Sequence, residues 1–293
     1  MAAGNRRPHT APPPDRHALT GRSVAIDPRI HAARADLTDV RLAARIFAPH
    51  YASAMPLTAL TLLPIRESDA PDAAILSELL PGETFEILEL SDDRAWGIGA
   101  TDGVVGYVDP IGLGEHAAPT HRVTGIAAAL REAPDGNASA LATLPMGARI
   151  AALAERGRFL LTDHGYVAAN DVSSLDTPVN TAIAEIAVRT IGIAAKPGGR
   201  SGAGVDPAGL IALVLDCCGH RAPRFADLQR GSVGVAVDPA DAPLSGDLLF
   251  FADHVAIQVS DTDVVHVDYR VVRVTLASLA DDHGAVVARH RIA

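Results

Sequence analysis

The residues that could carry nucleophilic chemistry in this sequence are two cysteines and two histidines in its C-terminal part. The segment Gly204–His220 reads GVDPAGLIALVLDCCGH, so that Cys217 and Cys218 stand at its far end. A cysteine is activated as a thiolate when it lies at the start of a helix and close to an imidazole. His254 and His266 lie in the apolar runs HVAIQVS and DVVHVD, which predict strands. Whether a Cys–His pair can form therefore depends on where the helix begins.

The helix in this segment is predicted to begin at Pro207, far from the cysteines. Proline suits the first helical position, where its missing N–H has no intrahelical use, and Asp206 can cap the helix. The apolar run LIALVL follows, whereas the residues after the cysteines, HRAPR, do not continue an apolar helix. Cys217 comes ten residues after Pro207, which is about 15 Å along a helix axis. Both cysteines are therefore predicted to be structural thiols at the C-terminal end of the helix.

The composition argues against several classes of function. The chain has 293 residues, is 48% hydrophobic and carries a formal net charge of -10, which argues against a nucleic acid or an anionic membrane as partner. No segment reaches the roughly 18 to 20 apolar residues that span a bilayer, and residues 1–22 hold no apolar run typical of a signal peptide. We therefore expect a cytoplasmic protein. No cofactor and no metal site are predicted, since two cysteines are too few for a Cys-based zinc site.

An internal repeat predicts two small β-barrels ahead of the C-terminal part. The segment IRESDAPDAAILSELLPGETFEIL is echoed by LREAPDGNASALATLPMGARIAAL. Arg66 aligns with Arg131 and Gly82 with Gly147, both at an offset of 65 residues. The short apolar runs between Gly, Pro and Asp predict strands, and the two glycines are expected at turns that need a positive φ. The two arginines, each followed by a glutamate, are expected to anchor loops.

The two repeats resemble bacterial SH3 domains through a shared pattern: an arginine, a Leu-x-x-Gly turn, an apolar strand and a closing Gly-Tyr-Val. Trp96 falls in the strand region of the first copy, where it is either a half-buried barrel residue or an aromatic platform for a sugar or peptide. The predicted organisation is a disordered tail over 1–22, an N-terminal arm over 23–52, SH3-like domains over 53–115 and 119–175, and a C-terminal domain over 178–293.

The C-terminal part resembles the NlpC/P60 family of cysteine peptidases in the ordered blocks GGRSGAGVDPAGL, PRFADLQ, GDLLFF, HVAI and VVHV. The resemblance covers about residues 178–293 and implies an α+β, papain-like fold of helices and an antiparallel sheet, here preceded by the two SH3-like β-barrels. In that family, a cysteine within Asp-Cys-Ser-Gly-Leu is the nucleophile and a histidine beginning the second strand is the base. A polar residue one strand later orients the base. Such enzymes cut peptide bonds in bacterial cell-wall stems, commonly next to γ-D-glutamyl units.

The resemblance places His254 at the base position and His266 at the orienting position, but it puts Pro207 where the nucleophile belongs. The Tyr-x-Trp-Gly-Gly block of the family reads AKPGG here, so that Ala195 replaces the tyrosine and Pro197 the tryptophan. The resemblance thus implies a vestigial site in which the base and its orienting partner remain and the nucleophile is missing.

The function that follows is a catalytically degenerate NlpC/P60-like protein that binds cell-wall peptide fragments or muropeptides, or acts as a scaffold for a protein partner. The candidate binding residues are Gly199, Arg200, Ser201, Asp206 and Trp96.

Two alternatives remain open. One is an active cysteine peptidase of the γ-D-glutamyl-diamino acid endopeptidase type, which hydrolyses peptidoglycan stem peptides with a thiol placed differently from this prediction. The other is a metal-dependent hydrolase that uses His254, His266 and a carboxylate such as Asp253 or Asp268.

Overall fold

The structure is a computed structural model that describes residues 25–176 and 182–292. The tail predicted over 1–22 and the predicted start of the C-terminal domain at 178–181 lie outside the described residues. The described chain forms, in order, an N-terminal arm, two β units and a C-terminal unit of helices and antiparallel strands. The predicted α+β class with small β units in front is therefore confirmed, while the domain bounds themselves stay predictions.

The N-terminal arm precedes the first β unit in the sequence and packs against the rest of the protein. Strands β1 (Leu37–Asp39) and β2 (His50–Ala52) of the arm pair in parallel. The Arg29 guanidinium lies 2.6 Å from the Asp227 carboxylate and 4.6 Å from the centre of the Phe225 ring. The arm thus contacts the C-terminal unit, through residues 198 positions apart in the sequence.

The first β unit is a single antiparallel sheet of seven strands. The strands are β3 (Met55–Ala59), β4 (Leu63–Arg66), β5 (Ile75–Leu79), β6 (Thr84–Leu90), β7 (Ala95–Gly99), β8 (Val105–Val108) and β9 (Leu113–Gly114). Their spatial order is β5-β4-β8-β7-β6-β3-β9. Ile65, Leu79 and Phe85 are fully buried, because alternate side chains of each strand face the interior of the curled sheet.

The second β unit has eight strands in two sheets. The strands are β10 (His121–Val123), β11 (Ala127–Arg131), β12 (Ala140–Pro145), β13 (Arg149–Ile150), β14 (Ala154–Arg156), β15 (Phe159–Thr162), β16 (Gly165–Ala168) and β17 (Val172–Ser174). The orders are β12-β11-β16-β15-β14 and β13-β10-β17. The larger sheet repeats the β5-β4-β8-β7-β6 order of the first unit.

The two arginines of the repeat occupy equivalent places. Arg66 of β4 lies opposite Tyr107 of the neighbouring strand β8, and Arg131 of β11 lies opposite Tyr166 of the neighbouring strand β16. Each guanidinium donates a hydrogen bond to the backbone carbonyl seven residues further along, at 2.8 Å in the first unit and 2.7 Å in the second. The predicted loop-anchoring role of both arginines is therefore confirmed.

The two glycines of the repeat have the predicted positive φ. Gly82 has φ of 80° and Gly147 has φ of 90°, in a region that side chains rarely adopt. A Cβ added at Gly147 would lie 2.5 Å from a Leu80 carbon and 2.9 Å from a Leu213 carbon. This turn of the second unit therefore touches both the first unit and the C-terminal unit, and glycine is required there by conformation and by space.

The C-terminal unit consists of four helices and a six-stranded antiparallel sheet, with a small hairpin beside them. The helices are α1 (Ile183–Arg189), α2 (Pro207–Cys217), α3 (Ala226–Ser232) and α4 (Leu276–His283). The hairpin is β18 (Arg200–Ser201) and β19 (Gly204–Val205), and the sheet strands are β20 (Val235–Ala236), β21 (Leu248–Phe250), β22 (Val255–Gln258), β23 (Asp263–Val267), β24 (Val271–Thr275) and β25 (Ala288–Arg291).

Helix α2 is the central helix of this unit. Its residues Leu210, Ile211, Leu213 and Leu215 are fully buried and pack in the main core against the sheet, as expected for a helix that is apolar on all sides. None of the helices in the described parts of the chain combines the length and the apolar character that a bilayer crossing requires.

One predicted strand is wrong in its second half. The sequence VVRVTLASL reads as one strand, but the strand ends at Thr275 and α4 begins at Leu276. The Thr275 hydroxyl accepts a hydrogen bond from the Ser278 amide at 3.2 Å. This side-chain cap satisfies an N–H that the first turn of the helix cannot satisfy itself, and so it sets the boundary.

Buried ion pairs join the C-terminal unit to the first β unit. Arg200 is 2% exposed, pairs with Glu83, and donates from Nε to the Glu78 carbonyl at 2.9 Å. Its Nε also lies 3.2 Å from an Asp102 carboxylate oxygen. Burial acts to lower the pKa of Arg200, but the Glu83 and Asp102 carboxylates outweigh it and raise that pKa, so the guanidinium stays charged.

Replacing Arg200 with leucine should lower the free energy of unfolding by roughly 3 to 5 kcal/mol, because the buried Glu83 would lose its closest cation and keep only Arg149, at 3.7 Å. The measurement is urea unfolding followed by far-UV circular dichroism. The control is Arg273→Leu, which removes an ion pair whose arginine is half-exposed and should cost less than about 1 kcal/mol. Equal effects of the two changes would contradict the role of Arg200 as a junction residue.

Candidate active-site cleft

A cleft with a volume of about 910 Å³ opens at the start of α2. Pro207 and Ala208 line it together with His254 and His266. The structure thus brings together three positions that the sequence places 47 and 12 residues apart. Pro207 follows the hairpin β18–β19 in the sequence, whereas His254 directly precedes β22 and His266 lies in the adjacent strand β23.

The start of α2 is fixed by the Asp206 carboxylate. Its Oδ1 accepts a hydrogen bond from the Gly209 amide at 2.7 Å, and its Oδ2 accepts one from the Gly198 amide at 3.0 Å. The buried Arg224 side chain donates to both oxygens, at 3.0 and 2.5 Å. Asp206 is therefore the predicted helix cap. Its oxygens are occupied by these partners, so its predicted role in ligand binding gains no support from the geometry.

Pro207 is the first residue of α2, as the sequence predicts. A side chain at this position feels the unpaired N–H groups and the positive end of the helix dipole, which would favour a thiolate if cysteine stood here. The pyrrolidine ring has neither an ionisable proton nor a lone pair for attack. The position that could activate a nucleophile is thus occupied by a residue that cannot be one.

The two histidines of the cleft are hydrogen-bonded to each other. His254 precedes β22, and its Nε2 lies 3.1 Å from Nδ1 of His266 in β23. The His254 ring also stacks on His283 of α4, with 4.1 Å between ring centres and 12° between planes. His283 in turn lies with Nδ1 3.2 Å from a carboxylate oxygen of Asp253. The contact between the predicted base and the predicted orienting residue is therefore present.

Burial keeps both imidazoles in their neutral form. It lowers the pKa of His254 to about 4, and the neighbouring His283 and His266 rings add to that effect. Burial also lowers the pKa of His266. A neutral imidazole can accept a proton, so the histidine pair retains the chemical form that a general base requires.

The two cysteines lie away from the cleft. Cys217 ends α2 and is fully buried, with its Sγ 3.9 Å from the Val123 carbonyl oxygen of the second β unit. Burial raises the pKa of the Cys217 thiol above its ordinary range and that of Cys218 to about 11. Neither residue lines the cleft. Both thiols are therefore protonated at neutral pH and are not positioned for attack beside His254.

The charged groups that line the cleft are mostly acidic. Four carboxylates line it, those of Asp206, Asp253, Asp268 and Asp282, against two cations. The two cations are already paired, because Lys196 contacts Glu78 and Arg224 contacts Asp206. With His254 and His266 neutral, the cleft therefore favours a ligand that carries a positive charge.

Three of the predicted binding residues lie at the unit junction and not on the cleft wall. Arg200 is held by the first β unit, and the Gly199 carbonyl accepts a hydrogen bond from the Asp206 amide at 3.1 Å. Ser201 is fully buried, and its hydroxyl accepts from the Ala203 amide at 3.2 Å. Their predicted ligand-binding role remains untested, and their observed contacts are structural.

Trp96 is also covered by the protein itself. The ring is 4% exposed and packs with Ala32, Leu88 and Val105. The Arg34 guanidinium of the N-terminal arm lies 4.3 Å from the ring centre, within the range of a cation–π contact. Of the two readings left open by the sequence, these contacts fit the packed barrel residue, and the platform role stays a prediction.

Two residues of the cleft were missed from the sequence. His283 was given no role, because it lies between two predicted strands, and its stacking on His254 arises from helix α4, which the sequence did not predict. Arg224 belongs to the PRFADLQ block, but its pairing with Asp206 joins residues that are 18 positions apart. No local signal in the sequence indicates this pairing, in which Arg224 is the buried partner.

The free energy of unfolding should fall as the pH is lowered from about 6.5 to 4, because His254 resists protonation in the folded protein. Its folded pKa of about 4 lies below the value of 6.5 for a free imidazole, so the unfolded chain binds the proton more tightly. Its contribution is therefore complete above pH 6.5 and is lost towards pH 4, amounting to about 2 kcal/mol between pH 7 and 5. Urea unfolding at both pH values should show a smaller drop for His254→Gln than for the unchanged protein. An identical drop in both would show that His254 is not held neutral.

Comparison with known proteins fits this geometry. The NlpC/P60 family model matches residues 196–284, and the model described as the bacterial dipeptidyl-peptidase Sh3 domain matches residues 65–113. No curated protein matches the chain.

Two solved structures share the fold. One is an NlpC/P60 family protein from Bacillus cereus ATCC 10987, 18% identical with a TM-score of 0.68, aligned over 81% of this chain and 99% of that one. The other is a novel NlpC/P60 endopeptidase from Photobacterium damselae subsp. piscicida, 12% identical with a TM-score of 0.56, aligned over 80% of this chain and 71% of that one. Residues 196–284 thus match the NlpC/P60 family model, residues 65–113 match that of a bacterial SH3 domain, and the chain has the fold of NlpC/P60 proteins.

Proposed function

We propose that this protein is a catalytically inactive NlpC/P60-like protein that binds cell-wall peptide fragments in the cleft at the start of α2. The proposal rests on two features of the cleft taken together: a proline at the start of α2 and a hydrogen-bonded pair of imidazoles. The base and its partner are in hydrogen-bond contact, yet the residue at the helix start has no nucleophilic atom. The cleft is kept while the bond-breaking group is absent.

The charge of the cleft supports a ligand of a particular class. Asp268 and Asp282 are exposed carboxylates on its wall, and the cations nearby are already paired. A stem peptide that contains a γ-D-glutamyl-diamino acid unit carries an ammonium group on the diamino acid. Such an ammonium group would lie against this acidic wall, where partial exclusion of water strengthens the attraction.

The alternative is an active cysteine peptidase acting on peptidoglycan stem peptides. It requires Cys217 or Cys218 to reach the His254 imidazole, and both are buried near the C-terminal end of α2. A thiol with a raised pKa at the negative end of a helix is a poor nucleophile. The alternative therefore requires a thiol in the cleft, and neither cysteine of the described residues lines it.

The cytoplasmic location stays part of the proposal. Fractionation of cells that produce the full chain, with immunodetection in each fraction, tests it. Recovery in the extracellular or wall fraction would contradict that location and would leave the ligand proposal standing.

The full chain should bind a synthetic γ-D-glutamyl-diamino acid peptide without cleaving it. Calorimetry should give a dissociation constant below about 1 mM, and mass spectrometry should show no product. Asp268→Asn and Asp282→Asn should each weaken binding severalfold, because each removes a negative charge from the wall. Asp92→Asn, an exposed change in the first β unit, should leave binding unchanged.

Two outcomes would overturn the proposal. Cleavage that stops after thiol alkylation would make the protein an active cysteine peptidase. Absence of binding by the unchanged protein, with its fold intact by circular dichroism, would remove the ligand role and favour a scaffold function.

Pro207→Cys should create a reactive thiol. The new cysteine would stand at the start of α2, across the cleft from His254, so iodoacetamide at pH 7 should alkylate it at least about tenfold faster than Cys217 or Cys218. The measurement is peptide mass spectrometry over a time course. The matched control Pro207→Cys with His254→Gln should react more slowly, since it lacks the imidazole. If residue 207 reacts as slowly as Cys217, the helix start does not present this position to the cleft.

A further inference from the structure

We propose that His116, Asp163 and His164 form a binding site for a divalent transition metal ion of the zinc class. The site lies where the two β units meet, and none of its residues lines the cleft. Among the described residues, these three form the one group of His, Cys, Asp or Glu side chains whose donor atoms lie close enough together to hold a metal ion. The proposal departs from the sequence analysis, which predicts no metal.

The three side chains come from two separate segments. His116 lies in the connection between β9 and β10, whereas Asp163 and His164 form the turn of the β15–β16 hairpin. The turn is fixed by Thr162, whose hydroxyl accepts from the His164 amide at 3.2 Å and donates to the Gly165 carbonyl at 3.0 Å. Two consecutive ligands are thus held on a short hairpin, and the third reaches them from 47 residues away.

The distances between the donor atoms match those of a tetrahedral site. His116 Nε2 lies 3.1 Å from Asp163 Oδ2 and 3.3 Å from His164 Nε2, and His164 Nε2 lies 3.7 Å from Asp163 Oδ1. Two ligands placed at about 2.0 to 2.1 Å from a tetrahedral Zn²⁺ are about 3.3 Å apart. One donor atom from each of the three residues lies within 4.8 Å of the other two, so that one ion can contact all three side chains once they close around it.

The hydrogen bond on the far side of His116 sets its tautomer. Nδ1 of His116 lies 3.2 Å from the Ala117 carbonyl oxygen, and a carbonyl can only accept, so the proton is on Nδ1. A neutral ring then directs its Nε2 lone pair at the Asp163 carboxylate, which also has no proton to give, and only a cation, a proton or a metal ion, makes this contact favourable. A metal-bound histidine typically has this backbone hydrogen bond on its other nitrogen.

A cation explains these contacts better than hydrogen bonding within the cluster. A single proton on Nε2 of His116 has to be shared between the Asp163 carboxylate and the His164 ring. A divalent ion satisfies both imidazoles and the carboxylate at once. Imidazole and carboxylate donors suit Zn²⁺ and similar ions, whereas Mg²⁺ and Ca²⁺ prefer oxygen ligands alone.

The surroundings leave room for a fourth ligand. The His116 side chain is 17% exposed, whereas those of Asp163 and His164 are 42% and 64% exposed. A pocket of about 270 Å³ adjoins them between the two β units, with Leu60 and Pro81 on one side and Leu130 and Leu144 on the other. With three protein ligands, the ion would complete its coordination with water or with a ligand group in this pocket.

The test is metal binding by the full chain after removal of metals with a chelator and dialysis. Competition with a chromophoric zinc indicator should show one Zn²⁺ per chain, and Co²⁺ should give the visible absorption of a tetrahedral site. His164→Ala and Asp163→Asn should each weaken Zn²⁺ binding at least about tenfold. Both changes lie on an exposed turn, and circular dichroism and thermal unfolding without metal check that the fold is intact.

Two control variants locate the ion. His50→Ala removes an exposed imidazole elsewhere and should leave binding unchanged. His254→Gln alters the cleft and should also leave binding unchanged. The proposal is overturned if the chain binds no Zn²⁺ stoichiometrically, if binding survives both His164→Ala and Asp163→Asn, or if it is lost only in His254→Gln.

Discussion

The Asp206 carboxylate is the interaction on which the cleft depends. It caps α2, holds the Gly198 amide of the preceding loop, and pairs with the buried Arg224. These contacts involve the cap residue and not the residue that follows it. The backbone at position 207 is therefore held in place whichever side chain it bears, so that the helix, the loop and the cleft do not depend on the side chain at that position.

The junction between the units is the second constraint, and it acts at both ends of α2. Arg200 on the hairpin before the helix is buried against Glu83 of the first β unit. Near the other end, the Asp216 carboxylate lies 2.8 Å from Arg122 and 3.0 Å from Arg149 of the second unit. Each β unit thus holds one end of the helix through buried charge. The position of the cleft is consequently a property of all three units together.

The sequence predicts the local features well because their signals are local. Asp206 and Pro207 specify a helix start from adjacent residues, and Gly82 and Gly147 indicate turns because glycine readily adopts a positive φ. The boundary at Thr275 was missed, since apolar residues continue from strand into helix and only the cap separates them. Pairings such as Arg200 with Glu83, or His116 with the 163–164 turn, join distant segments, and no periodicity or spacing encodes them.

The N-terminal arm supplies one further consequence. Arg34 lies over the ring of the single tryptophan, donates to the Tyr107 hydroxyl at 3.1 Å and pairs with Glu89 at 2.7 Å. The protein therefore contains its own optical probe, because the indole emission arises from one known place and reports whether the arm is seated. Any event that lifts the arm becomes visible as a red shift of that emission, without a label.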